Sequence, residues 1–87
     1  MPKFMLASAG NVEVPAYLTI RDRGYEVTST TDYDHTETWI AESDQARFVA
    51  ENPLSLLGLI AVFEARGKNW LANDDQIEEF VAKFCSD

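Results

Sequence analysis

The stretch Glu51–Trp70, ENPLSLLGLIAVFEARGKNW, decides how this chain folds. Asn52 is a good N-cap, because its side-chain oxygen can accept an amide of the first turn. Pro53 suits the first helical position, where an N–H has no partner to lose. The helix should run to about Arg66 and close at Gly67, which takes left-handed conformations freely. No charge occurs from Leu54 to Phe63. A membrane span needs about twenty apolar residues, so this shorter run reads as a core helix. A helix apolar on every side must be covered on several sides. One side is bulky: Leu56, Leu59, Ile60 and Phe63. The other is small: Gly58, Ala61 and Ala65, beside Leu54. A mid-helix Gly costs about 1 kcal/mol relative to Ala, which close backbone approach would offset. The bulky side is therefore expected on a sheet and the small side against another helix.

That second helix follows directly. Asn73-Asp74-Asp75-Gln76 has the spacing of a capping box. Asp74 and Asp75 suit the positive end of the helix dipole. Ile77, Phe80, Val81 and Phe84 form an apolar face, with Glu78, Glu79 and Lys83 outside it. Between the helices, Trp70 and Leu71 are expected to plug the bottom of the core or staple the next helix. An exposed Trp70 would instead be an interaction anchor.

Upstream, the period changes from helical to alternating. Tyr25 and Val27 oppose Glu26 and Thr28 along residues 25–30. Trp39 and Ala41 oppose Ile40 along residues 37–42, and Phe48 opposes Arg47 and Val49 along residues 46–50. Short polar turns join these segments, which predicts a three-stranded antiparallel meander. Residues 12–23 read two ways. Val14, Tyr17, Leu18 and Arg21 fall on one helical face, with Asn11 as cap, Pro15 in the first turn and Gly24 closing the helix. The alternative is a hairpin turning at Arg21-Asp22-Arg23-Gly24. The helix is preferred. The expected fold class is α+β: a helix, a three-stranded antiparallel meander, a buried central helix and an amphipathic C-terminal helix. Residues 1–87 form one domain, with 1–11 an N-terminal arm or short strand.

Fifteen acidic residues face seven basic ones, a net charge of -8. Nucleic acid repels such a surface, since phosphate contacts need clustered Lys and Arg. Anionic membranes repel it too. A basic protein would be attracted and steered, although solubility alone accounts for the charge as well. The single Cys85 cannot form a disulfide within the chain, which fits a reducing compartment. Residues 1–7 have too short an apolar run for a signal peptide. The expected location is the cytoplasm of a microbe.

Three clusters are candidate sites, each with a simpler explanation beside it. Asp32, Asp34, His35 and Glu37 lie within six residues, and alternating oxygen donors could hold a divalent cation. The EF-hand pattern fails, because Glu37 stands where Gly is needed and Ser43 where Glu is needed. A solvated turn explains the same residues. Glu64, Arg66, Lys68 and Trp70 form the second cluster; Arg66 and Lys68 flank the end of the central helix, where cations complement its dipole. Asp74, Asp75, Glu78 and Glu79 make a dense negative patch that would receive a basic partner, yet a charged helix start accounts for them too. Catalysis has little support. One His with scattered Ser and Asp is no triad, and the isolated glycines form no phosphate loop. No cofactor or metal is expected.

The string PLSLLGLIAVFEARGKNW, followed by NDDQIEEFVAKF and preceded by VPAYLTIRDRGYEV and ETWIAE, resembles a family of small uncharacterised bacterial α+β proteins. The shared pattern is PLxLLGLxxxxExRGxxW, and the likeness covers most of the chain from Val12. It implies a compact domain with a helix over residues 12–23 and carries no activity or site.

The expectation from these readings is a non-enzymatic, acidic protein-binding module. It would meet a basic protein through Asp32, Asp34, His35 and Glu37, through Trp70, and through Asp74, Asp75, Glu78 and Glu79. Immunity and antitoxin proteins are small, acidic inhibitors of this kind. Two other readings stand. One is a structural homodimer built on the Gly58, Ala61, Ala65 stripe. The other is a metal-responsive domain using the turn from Asp32 to Glu37.

Overall fold

The computed structural model describes residues 3–85. The chain order is α1 (Glu13–Asp22), β1 (Glu26–Thr31), β2 (Glu37–Glu42), β3 (Arg47–Ala50), α2 (Pro53–Arg66) and α3 (Asp74–Phe84). The strands form one antiparallel sheet in the order β1-β2-β3. The α+β class and the order of elements agree with the sequence reading, as does a helix over residues 12–23. The first two residues of the 1–11 arm lie outside the described residues. Those from Lys3 to Ala9 adopt no regular structure, and Phe4, Met5 and Leu6 are exposed.

Register explains which face of the sheet is covered. Val27, Ala41 and Phe48 are cross-strand neighbours in one row. All three join the core around Ile20, Leu56 and Ile60. Their strand neighbours Thr28, Ile40 and Val49 form the row on the opposite face, where Thr28 and Val49 are exposed. α1 and α2 pack against each other, and α2 lies over β2 and β3. Phe48 is gripped edge-on by Tyr25 and Phe63, with ring centroids at 5.8 and 5.5 Å. At the foot of the helices Arg23 pairs with Glu64 at 2.6 Å. That pair is partly exposed and contributes at most about 1 kcal/mol.

Two helix faces differ from expectation. α1 buries Ala16 and Ile20, whereas Val14 is exposed. Asn11 does not cap this helix. It lies in a 3-10 turn, Gly10–Val12, and Val12 takes the cap position. Gly24 does close the helix, at φ 95°. α2 begins as expected, with the Ser55 amide donating to Asn52 Oδ1 at 2.8 Å, and Gly67 ends it at φ 68°. Its buried residues are Pro53, Leu56 and Ile60, with Leu57 packed against the core. Leu59 is 43% exposed. The covered side is thus turned by part of a residue step from the expected one. Leu57 and Leu59 are equally apolar, so composition could not choose between them.

The expected cover over the small side is missing. Gly58, Ala61 and Ala65 are exposed, and a Cβ added at Gly58 would meet nothing within 4 Å. α3 has no buried residue. Trp70 and Leu71 are exposed as well, so they do not plug the core. The radius of gyration is 15.8 Å, against about 12 Å for a compact domain of this length. α2 is sandwiched on one side only.

Substitution should separate the two sides of α2. Ile60→Ala is expected to cost about 2–5 kcal/mol, the usual range for a cavity in a packed core. Leu59→Ala should cost less than about 1 kcal/mol. Urea unfolding of both variants followed by circular dichroism checks the contrast.

Candidate functional site

Chain direction sets where the acidic clusters lie. β1 runs to the turn at residues 32–36, so Asp32, Asp34 and His35 sit at one end of the sheet, with Glu37 opening β2. β3 returns toward that end, and α2 then descends to the other. The Arg23–Glu64 pair ties the last turn of α2 to the end where β1 begins. α3 and its carboxylates start there. The structure therefore does not bring the two acidic clusters together.

The first cluster is largely a turn-forming device. The Asp32 amide donates to the Thr36 carbonyl at 2.9 Å, and the His35 amide to the Asp32 carbonyl at 2.8 Å. Asp34 Oδ1 accepts the Thr36 amide at 3.2 Å. His35 has φ 68°, the left-handed region that a reversal this tight demands and that His tolerates better than most residues. Glu37 Oε1 accepts the Trp39 indole N–H at 3.2 Å. Among the described residues, no three His, Cys, Asp or Glu side chains gather where they would hold a metal ion.

The second cluster begins a well-specified helix. Asn73 Oδ1 accepts the Gln76 amide at 2.8 Å, while Gln76 Oε1 accepts the Asn73 amide at 2.9 Å. Both halves of the capping box are made. Asp74 and Asp75 lie in the first turn, where the helix dipole favours negative charge. Asp74, Asp75, Glu78 and Glu79 are all exposed. Among the described residues the ion pairs are Arg21–Asp22 and Arg23–Glu64, and neither involves this cluster. The Arg21 guanidinium is raised above its usual pKa by its hydrogen bond to Asp22.

Trp70 precedes this cluster in the chain and is 54% exposed. Arg66 holds the chain here: its Nε donates to the Trp70 carbonyl at 2.9 Å and its Nη2 to the Leu71 carbonyl at 3.4 Å. A helix-terminal cation thereby doubles as the clamp on the linker. The sequence suggested the dipole role for Arg66 and missed the clamp, which depends on the turn the chain makes after Gly67.

Two hollows also went unread. An open cleft of about 720 Å³ is lined by Arg23, Tyr25, Glu26, Glu42 and Asp44 among others. Its carboxylates meet because Glu26 and Glu42 are directly opposed across the strands, which only the register reveals. A smaller apolar hollow of about 270 Å³ lies among Val14, Tyr17, Trp39 and Pro53. Among the described residues no helix is long and apolar enough to cross a membrane.

No family model matches the chain, and no curated protein or solved structure matches it either.

Removing the clamp should loosen the linker and leave the core intact. Arg66→Ala is expected to speed chymotrypsin cleavage after Trp70 severalfold while shifting the global unfolding midpoint little, because each lost bond is exposed. Limited proteolysis beside a thermal melt tests this.

Proposed function

We propose that the protein is a non-enzymatic binding module that meets a basic protein through the carboxylates of α3. The observation behind this reading is the set Asp74, Asp75, Glu78 and Glu79, exposed and outside the ion pairs seen among the described residues, on a helix with no buried residue. Charges so placed keep their field for an incoming partner and speed its encounter. Trp70 precedes them in the chain as an apolar anchor. The turn at Asp32–Glu37 is the weaker candidate, because Asp34 and Glu37 already accept hydrogen bonds within the hairpin. The finer reading is a regulatory inhibitor working in a reducing cytoplasm, for which a lone Cys85 is suited.

The acidic reading makes a salt-dependent prediction. Immobilised protein should retain a basic protein from bacterial lysate at low salt and release it by about 0.5 M salt, where the Debye length falls to a few ångströms. Replacing the cluster by Asp74→Asn, Asp75→Asn, Glu78→Gln and Glu79→Gln should weaken capture at least tenfold. Replacing Asp32, Asp34 and Glu37 in the same way should weaken it less. Retention of nothing that responds to salt would remove this reading.

A further inference from the structure

We infer that two copies of this chain exchange their C-terminal helices, α3 of each lying antiparallel along the open stripe of α2 of the other. This rests on apolar surface, and Asp74 and Asp75, which the acidic reading also uses, set only its direction.

Two unpartnered apolar faces occur on every copy. One is α3, whose Ile77, Phe80, Val81 and Phe84 are 48–66% exposed. The other is the outer side of α2: Leu59 and Val62, with Gly58, Ala61 and Ala65 lying open beside them. The first is bulky and the second is shallow, so ridges have a groove to enter. An 11-residue helix is marginal in water by itself, since isolated helices need about 12–15 residues even in favourable sequences. α3 therefore draws its order from a surface it packs on, and its own domain does not supply one.

The surface area fits a second copy. The chain exposes 7350 Å² for a mass of 9.8 kDa. A folded monomer of that mass exposes about 5,200 Å². Part of the excess belongs to the arm at Lys3–Ala9. The apolar side chains of α3, the linker and the outer side of α2 add on the order of 800 Å² per chain, close to what one partner gives up in a standard interface. Among the described residues, the buried ones are Ala16, Ile20, Ala41, Pro53, Leu56 and Ile60. A core so thin gains most from a second layer.

Charge sets the direction and favours self over other partners. α2 ends in Arg66 and Lys68, and α3 starts with Asp74 and Asp75. Antiparallel docking lays the acidic start of one α3 beside the basic end of the other α2, with the helix dipoles opposed. The Arg66 clamp on the Trp70 and Leu71 carbonyls fixes how the chain leaves α2, in the geometry that carries α3 off its own stripe. Two such contacts related by a two-fold axis close the assembly.

Sedimentation equilibrium of the full chain over the micromolar range should show a dimer. Phe80→Asp on α3 and Ala61→Glu on the stripe alter exposed positions, so each variant should stay folded by circular dichroism and weaken dimerisation at least tenfold. Mixing the two variants should restore a heterodimer, because one α3 and one stripe remain intact. A wild-type chain that stays monomeric at high concentration, with α3 closed on its own α2, would overturn the inference. So would dimerisation that survives Ala61→Glu, which would mean that α3 pairs with α3, or a mixture of variants that forms no heterodimer.

Discussion

The structure turns on one imbalance: α2 carries no charge on any side from Leu54 to Phe63, and the domain covers only one side of it. β2, β3 and α1 take the flank carrying Pro53, Leu56, Leu57 and Ile60. Among the described residues, nothing else lies over the rest. At about 25 cal/mol per Å² the uncovered flank forgoes stabilisation that the covered flank receives. Every other feature follows: a thin buried core, a radius of gyration too large for the length, and a terminal helix standing apart.

Local chemistry fixes where α3 begins and how the chain reaches it in this open arrangement. Gly67 ends α2 at positive φ, Arg66 fastens the two carbonyls that follow, and Asn73 and Gln76 exchange side-chain bonds to begin the next helix. Each of these acts within five residues along the chain. Capping and clamping specify where α3 starts and how the chain reaches it. They do not supply an apolar surface for the face of Phe80 and Phe84, whose rings meet only each other, at 5.2 Å, among the aromatic contacts.

This division between local and distant causes also decides what the sequence disclosed. Both caps, at Asn52 and Asn73, the helix ends at Gly24 and Gly67, and the alternation of the three strands were legible because each depends on neighbours in the chain. The inward side of α2 was not, since Leu57 and Leu59 are identical in chemistry and differ only in what faces them. The cover over Gly58 was inferred from the stripe itself, and a stripe of small residues tells of close approach without saying whose. The site was legible as residue types alone. The Asp32–Glu37 cluster was visible, but its use in closing a hairpin depended on the register and on the φ of His35.

Acidity and exposed apolar surface then form a single arrangement. A net charge of -8 lets an open chain with uncovered Leu59, Trp70 and Phe80 resist indiscriminate association. Repulsion between like-charged copies does not forbid a specific pair. Two charges of -8 about 25 Å apart repel by roughly 10 kcal/mol in unscreened water. At physiological ionic strength, with a Debye length of about 8 Å, that falls below about 1 kcal/mol. Burying on the order of 800 Å² per chain yields a gross gain of some tens of kcal/mol before association costs. Short-range apolar contact outweighs the long-range charge wherever salt is present, provided that the faces match. Charge rejects the poorly fitting encounters, and fit decides the one that lasts.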